Sequence, residues 1–420
     1  MSQIAFETNL ADPDLLPSQK GPPHELFRQW RENDPVHWNP PPENYTATMP
    51  GASIHKGFWV LTRYQDVFDV SRDQSLFSSH DGGPIIWDFE PERLAMQQMG
   101  LMGMQPDQHA IIKRMVMPPF SPKNLALFED EIKAVAKQII DDVAAKGDCE
   151  FVFDVASRLP VYTFCKIMGI PDDKREQVFQ LGNTLADTEN PKGYDEENED
   201  AMAVFQLFAL CEEISALKKE SPDDSILSKL VNEEIEGQKL EQVQINMFFV
   251  TLAIAGHETT RGTAVHFIRL MSEHPEQFEL IKSDPDKYLS NAIDEVLRVA
   301  PPVIKFRRTA TQDAEIGGQR IKKGDKIYLS YPAANRDPAV FEDPDRFDIL
   351  RANANKHLSY GTGPHVCLGA RLAHMQLTAL LMEIITRIPD IKPVGDIEDP
   401  LRSIWFHTVM NMPVTFTPEA

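Results

Sequence analysis

The sequence predicts a mainly helical α+β fold, and its hydrophobic pattern supplies the two main observations. Apolar residues recur with helical spacing through most of the chain up to Pro301 and Pro302, where this pattern stops. Beyond these prolines, residues 315–329 alternate between apolar and polar side chains around Gly317-Gly318 and Gly324, which is typical of β-hairpin structure. We therefore expect many helices with small β-sheets beside them.

The elements can be predicted in chain order. Residues 57–64 are rich in aromatic and β-branched side chains, which predicts a strand that leads into a short helix over residues 65–70. A C-terminal β-segment is expected at residues 412–417. Helical spacing of apolar residues occurs over residues 125–145, 159–168, 175–186, 199–219, 242–274 and 370–388.

The composition predicts one domain over residues 1–420, with about residues 1–20 as an N-terminal extension. The chain has 420 residues, of which 42% are hydrophobic, and no linker, repeat or low-complexity tract divides it. Its four cysteines have no paired spacing, which favours a reducing compartment over a disulfide scaffold. They are Cys149, Cys165, Cys211 and Cys367.

Charge and hydropathy exclude some partners. The formal net charge of −22 would repel phosphates, so we expect no nucleic-acid partner. Residues 1–20 contain acidic residues and prolines but no apolar stretch, so we expect neither a signal peptide nor a membrane anchor. Since no apolar run is long enough to span a bilayer, a cytoplasmic enzyme is expected.

One cysteine lies in a glycine-rich loop. Residues 360–369 read Tyr-Gly-Thr-Gly-Pro-His-Val-Cys-Leu-Gly and place Cys367 just before the helical run 370–388. Glycines allow a tight turn and close approach to a flat partner, and a helix N-terminus stabilises a thiolate. A lone cysteine is more often a small buried hydrophobic residue. The whole pattern, however, resembles the haem-binding signature of the cytochrome P450 superfamily.

This resemblance implies the cytochrome P450 fold, in which many helices surround a haem. It also implies that Cys367 is the axial thiolate ligand of the iron in a b-type haem (heme b), a ligand that favours O–O cleavage. Tyr360 departs from the family pattern, which usually has Phe there. The added hydroxyl is expected to change the hydrogen bonding near the sulfur.

The long helix predicted over residues 242–274 has an unusual centre. Residues 255–260 read Ala-Gly-His-Glu-Thr-Thr, and Gly256 alone costs about 1 kcal/mol relative to Ala inside a helix. Broken local rules within a strong element are one sign of a functional site. The alternative is a hydroxyl-to-backbone bond or a turn that faces solvent.

The same segment resembles the oxygen-activating helix of the superfamily. The resemblance implies that Ala255 and Gly256 leave room for dioxygen beside the haem. It further implies that Glu258 and Thr259 form an acid–alcohol pair that delivers protons. His257 is interpreted as a modulator and not as a ligand.

An acid and a base are spaced to share one helix face. Glu295 and Arg298 are three residues apart. By itself such a pair is usually a surface ion pair. Between the oxygen helix and the cysteine loop it resembles the structural pair of the family, which a downstream arginine completes. Arg346, in residues 343–347, is the predicted third member.

Haem propionates need cationic or hydrogen-bonding partners, and the resemblance supplies candidates. Residues 106–114 resemble a helix start whose His and Arg contact propionates; here the two positions are His109 and Lys113. Arg308 and His365 resemble the other two contacts. Taken singly, each basic residue is more often a solvated surface charge.

Residues 84–104 are unusually apolar for a connection and rich in methionine, which suits a pocket for irregular apolar ligands. Core packing is the alternative for each side chain. The predicted pocket residues are Ile86, Trp87, Met102, Thr251, Ile254, Ile304, Phe306, Thr408 and Val409.

Together these features predict a haem-thiolate monooxygenase. It would insert one atom of O2 into a C–H bond of a hydrophobic small molecule, namely a terpenoid, a steroid or a branched alkyl chain. Two alternatives remain. One is a P450-type haem enzyme without net oxygen insertion, which would catalyse isomerisation, dehydration or coupling. The other is a non-catalytic haem sensor.

The electrons are expected from outside the chain. The sequence contains neither a GxGxxG nucleotide fingerprint nor the four-cysteine spacing of an iron–sulfur cluster. We therefore expect a separate ferredoxin and an NAD(P)H-dependent ferredoxin reductase as partners. The predicted docking surface carries Lys113, Arg114 and Arg371.

Overall fold

The computed structural model describes residues 8–11, 21–42, 52–186, 199–234, 237, 239–395, 405–407 and 409–419. Most of the predicted N-terminal extension therefore lies outside the described residues. Within these ranges the chain forms fifteen α-helices and twelve short strands, which confirms the mainly helical α+β prediction.

The helices are α1 His24–Asn33, α2 Tyr64–Arg72, α3 Pro91–Met99, α4 Pro106–Val116, α5 Pro122–Leu125, α6 Glu129–Ala144, α7 Arg158–Met168, α8 Arg175–Ala186, α9 Glu199–Glu220, α10 Ile226–Asn232, α11 Gln242–Glu273, α12 Pro275–Ser283, α13 Pro285–Val299, α14 Tyr331–Ala334 and α15 Ala370–Arg387. The strands are β1 Val36–Asn39, β2 Ala52–Ser53, β3 Phe58–Leu61, β4 Phe77–Ser78, β5 Asp88–Phe89, β6 Asp148–Glu150, β7 Lys305–Ala310, β8 Ala314–Ile316, β9 Gln319–Ile321, β10 Lys326–Ser330, β11 Lys392–Pro393 and β12 Pro413–Thr415.

The largest sheet has the strand order β1-β3-β10-β7-β4. Strand β3, which was predicted within residues 57–64, pairs antiparallel with β1 and parallel with β10. Val60 and Leu61 are completely buried, as expected for β-branched and aliphatic residues in a central strand. Strand β10 pairs antiparallel with β7 and places Arg308 opposite Ile327.

The predicted hairpin after the two prolines is formed by β8 and β9, which pair antiparallel. Gly317 and Gly318 connect them with φ values of 57° and 86°. A two-residue hairpin turn with positive φ at both positions strongly favours glycine. The C-terminal β-segment is also present, because β12 pairs with β6 and β11.

One predicted helix and one predicted connection differ from the structure. The helix predicted from residue 125 starts at Glu129, because α5 ends first at Leu125. The apolar connection predicted over residues 84–104 contains β5 and the helix α3, which has Pro91 at its first turn. Proline fixes φ near the helical value and is therefore favoured there.

Helix α11 is the longest described helix and is buried over most of its length. A capping box between Glu241 and Gln244 closes its N-terminus. Helices α11, α13 and α15 pack against one another. The cysteine loop directly precedes α15, so this packing brings the two predicted functional segments together. Within the described residues, no helix is both long and apolar enough to cross a membrane.

Candidate active site

A cavity of about 250 Å³ lies between α11 and the cysteine loop. Ala255, Gly256 and Thr259 line it from α11, and Cys367 and Gly369 line it from the loop. Apart from its immediate chain neighbours and the backbone of its own helix, a Cβ added to Gly256 or Gly369 would meet no described atom within 4 Å. The space beside both backbones is therefore open, as a flat group bound there requires.

Cys367 is accessible from this cavity. Its backbone N–H donates to Tyr360 O at 2.8 Å, which closes the loop on itself. Position 363 requires glycine for two reasons: its φ is 72°, and a Cβ there would lie 2.9 Å from the Cα of Arg72. The glycines thus hold the thiol at the cavity wall.

Local charges act on the sulfur in opposite directions. Burial raises the pKa of the Cys367 thiol, whereas the backbone N–H groups of Gly369 and Ala370 and the Lys113 ammonium lower it. The two backbone donors lie at the start of α15, where the helix dipole also favours a negative charge. A metal cation on the sulfur would favour the thiolate further.

Four basic side chains from distant segments line the same cavity: His109, Lys113, Arg308 and His365. The rings of His109 and His365 lie 4.2 Å apart between centroids. Burial lowers the pKa of His109 to about 4 and that of His365 to about 2, and Lys113 and Arg308 contribute to both shifts. These four basic side chains therefore lack a negatively charged carboxylate partner within the described residues.

Arg308 shows this deficit most clearly. Its Nη1 donates to the carbonyl of Arg307 at 2.8 Å, but its buried Nε has no hydrogen-bond partner among the described residues. Within the described ranges, none of the four basic residues forms an ion pair with a carboxylate. Since buried donors need acceptors, these residues fit the carboxylates of a haem.

Lys113 also has a role within the protein. Its Nζ donates to Pro364 O at 2.6 Å and to Val366 O at 3.0 Å. It therefore fastens α4 to the cysteine loop. His365 is positioned similarly, with Nε2 3.0 Å from Ser79 Oγ.

The predicted acid and alcohol lie on different faces of α11. Thr259 lines the cavity, and its Oγ1 donates to Ala255 O at 2.8 Å. Glu258 is 1% exposed, does not line the cavity and pairs with Arg261 one turn along the helix. Arg261 in turn contacts Met410 Sδ at 3.8 Å. The carboxylate thus lies behind the cavity wall.

His257 does not line the cavity. It is buried between α11 and α8, with its ring centroid 6.3 Å from that of Phe179. A Cβ on Gly182 would lie 3.4 Å from its Nδ1. Burial lowers the pKa of His257 to about 3, and Arg261 adds to this shift.

The predicted Glu295 and Arg298 pair is present, but Arg351 and not Arg346 is the third side chain. Arg298 donates to both carboxylate oxygens of Glu295, at 2.7 and 2.8 Å, and Arg351 Nε donates to Glu295 Oε1 at 3.2 Å. The Arg346 side chain is 62% exposed and faces Asp348. Only its backbone carbonyl contributes, as an acceptor from Arg298 and Arg351.

The predicted pocket residues fall into separate groups. Met102, Thr251 and Phe306 line the cavity. Ile86, Trp87 and Ile304 belong to another hydrophobic cluster, beside β3 and β10. Val409 is inside the main core and Ile254 packs against it. Thr408 lies outside the described residues.

Other apolar residues of the wall were not identified from the sequence: Phe120, Phe164, Ile167, Met168 and Leu252. Phe164, Ile167 and Met168 have the spacing of one helix face on α7. That spacing signals a buried face, but it does not distinguish a cavity wall from a filled core.

Comparisons with known proteins extend over nearly the whole chain. A family model for cytochrome P450 matches residues 202–403. The chain is 35% identical to a steroid C26-monooxygenase of Mycolicibacterium smegmatis, over 94% of this chain and 91% of that protein. It is 30% identical to a linalool 8-monooxygenase of Pseudomonas putida, over 98% of this chain and 99% of that protein. The solved structure of a Mycobacterium marinum cytochrome P450 in complex with pseudoionone is 32% identical, with 98% of each chain covered and a TM-score of 0.88.

Proposed function

This chain belongs to the cytochrome P450 family and is a monooxygenase of hydrophobic substrates, and on this premise we propose its reaction and substrate class. The enzyme inserts one atom of O2 into a C–H bond of a terpenoid, a steroid or a branched alkyl chain. The observation that carries the proposal is that Cys367 and Thr259, from distant segments, line one largely apolar cavity.

The residues have distinct roles in this proposal. Cys367 holds the iron, and Arg308, His109 and His365 bind the propionates. When bound, the haem supplies the iron chemistry that activates O2. Gly256 and Ala255 leave space beside it, Thr259 Oγ1 donates a proton at the oxygen site, and Glu258 relays protons toward Thr259 from behind the wall.

The substrate class follows from the wall and from the relatives. Met102, Phe164 and Phe306 offer apolar surface and few hydrogen-bond donors. The relatives named above act on or bind a steroid, linalool and pseudoionone. All three are apolar molecules with only one or a few oxygen atoms, which this wall would accommodate.

Electrons come from a ferredoxin and its NAD(P)H-dependent reductase. The motifs for binding a nicotinamide or an iron–sulfur cluster are missing from the sequence, which supports an external donor. Unpaired cysteine spacing supports the reducing cytoplasm as the site of this exchange.

Thr259→Ala tests the reaction. The variant should still consume NAD(P)H. The amount of labelled product formed for each NAD(P)H consumed, measured with isotopically labelled O2, should fall about tenfold or more, because proton donation at the oxygen site is lost. Label in the product separates oxygen insertion from isomerisation or dehydration.

Thr163→Ala is the matched control. Thr163 is buried on α7 and donates to Leu159 O at 2.8 Å, the same type of bond that Thr259 makes, but it does not line the cavity. Thr163→Ala should remain coupled. Wild-type coupling in Thr259→Ala would contradict the proposed role, and product without label would contradict the proposed reaction.

A further inference from the structure

Tyr331 is a cavity-lining residue that the sequence analysis did not identify. It begins α14 directly after β10, and it is 2% exposed. Its backbone N–H donates to Ile304 O at 3.1 Å, and its ring packs edge-on against Phe306 at 6.1 Å. Since Phe306 also lines the cavity, the tyrosine ring is held at the cavity wall from two sides.

The hydroxyl of Tyr331 lies at the end of the cavity that carries the basic residues. Its oxygen is 3.7 Å from the position that a Cβ on Gly361 would occupy, in the cysteine loop. Burial raises the pKa of Tyr331 to about 12, and the nearby Arg308 guanidinium opposes this shift. The hydroxyl is therefore a hydrogen-bond donor at neutral pH.

This donor lacks an acceptor. In the described part of the chain, no group accepts a hydrogen bond from the Tyr331 hydroxyl. The Nε of Arg308, which is fully buried, has no hydrogen-bond partner among the described residues either. A tyrosine hydroxyl on a buried ring normally finds a partner, and a buried donor without one, such as Arg308 Nε, calls for an explanation. A carboxylate at this end of the cavity would satisfy both donors.

We propose that Tyr331 Oη donates a hydrogen bond to the same haem propionate that Arg308 binds. Tyr331 thus acts as a neutral cofactor-binding residue beside the charged one. The inference rests on the proposed function, because it requires the haem to occupy this cavity with its propionates at the basic end. It adds a donor that neither the cysteine motif nor the basic residues predict.

Tyr328 offers a matched control for removal of a buried tyrosine hydroxyl. It lies in β10, is 4% exposed and stacks on Phe58 with centroids 5.7 Å apart. Burial raises its pKa as well. It belongs to the separate cluster beside β3 and does not line the cavity.

The experiment compares the holoenzyme with Tyr331→Phe and Tyr328→Phe. Haem release is measured by capture with excess apomyoglobin, and the propionate bending bands are measured by resonance Raman spectroscopy. Loss of one hydrogen bond to a carboxylate should accelerate haem release about tenfold in Tyr331→Phe and shift one propionate band. Tyr328→Phe should change the release rate by less than about twofold and leave the bands in place.

Two results would overturn the inference: an unchanged release rate and unchanged bands in Tyr331→Phe, or equal changes in both variants. The reduced carbon monoxide complex of the wild type separates this outcome from failure of the proposed function. If the wild type lacks the red-shifted Soret band, the thiolate haem site itself is rejected. A wild type that shows the band, together with an inert Tyr331→Phe, rejects only the role of Tyr331.

Discussion

At the scale of single residues, the buried ion pair of Glu258 and Arg261 is the most consequential arrangement. Both side chains are removed from water in the middle of α11. Breaking such a pair leaves an uncompensated buried charge and typically costs about 3–5 kcal/mol. Arg261 therefore keeps Glu258 behind the cavity wall, and in the proposed relay protons must pass this pair before they reach Thr259.

His257, next to Glu258, gives a pH-dependent prediction. Burial lowers its pKa to about 3 from an ordinary value near 6.5. Between these two pH values the unfolded chain binds a proton that the folded chain does not, so stability is lost as the pH falls below about 6.5. In His257→Phe, the loss of unfolding free energy between pH 7 and pH 5 should be smaller by up to about 2 kcal/mol.

Urea unfolding at the two pH values measures this effect. The phenyl ring keeps the contact with Phe179. A change in the pH dependence of the unfolding free energy therefore reports the bound proton and not the packing. Equal losses in wild type and variant would show that His257 does not remain neutral in the folded protein.

At the scale of elements, Glu295 and Arg298 join α13 to the chain between α14 and the cysteine loop. Its carboxylate accepts from Arg298 on α13, from Arg351 and from the backbone N–H of Asp348. Arg298 also donates to carbonyls of Asn335, Pro344 and Arg346. The buried carboxylate and guanidinium therefore fix the chain between α14 and the cysteine loop against α13.

Separate substitutions of Arg351 and Arg346, the two candidates for the third member beside Glu295 and Arg298, test this arrangement. Arg351→Gln should lower the unfolding free energy by about 2–4 kcal/mol, because a buried charged hydrogen bond to Glu295 and those to three carbonyls are lost. Arg346→Gln should change it by less than about 0.5 kcal/mol, because its side chain is exposed. Chemical unfolding of both variants decides the matter; a larger loss in Arg346→Gln would contradict the contacts described.

Element boundaries show where sequence patterns were sufficient. Helices α7, α8, α9 and α11 lie within about one residue of their predicted ranges, since their apolar residues follow one helical period. The helix α3 was missed because none of its residues is buried, so its sequence carries no clear apolar period. Only the packing of this segment against β5 and α11 distinguishes a helix from a connection.

At the scale of the whole molecule, the acidic net charge and the proposed basic docking surface have opposite signs. Formal charge is −22, yet Arg114 and Arg371 are exposed beside the cysteine loop. Lys113, the third predicted docking residue, is instead half-buried and bonded to the loop carbonyls. A ferredoxin is therefore expected to meet a small basic area on an acidic protein.

Arg371→Glu tests this surface. With the cognate ferredoxin limiting, turnover should fall about three- to tenfold at low ionic strength, and the difference should shrink as salt screens the charges. Arg320→Glu, at an exposed position on the β8–β9 hairpin, is the control and should have little effect. Equal turnover of wild type and Arg371→Glu at low salt would place the docking surface elsewhere.

The sequence by itself determined the fold class and the family, and it predicts the chemistry of the two main motifs. These depend on residue types at fixed short spacings, as in the loop around Cys367 and the centre of α11 around Thr259. Local backbone geometry links such spacings directly to structure.

Only the tertiary structure decided which of several chemically similar residues makes a given contact in the core or in the cavity wall. Arg346 and Arg351 are both arginines in the same stretch of chain. Arg351 is buried against Glu295, whereas the Arg346 side chain faces water. Trp87 is apolar but packs beside β3, whereas Tyr331 reaches the cavity from the end of β10. The physical reason is that burial and charge pairing depend on contacts between distant segments, which periodicity along the chain does not encode.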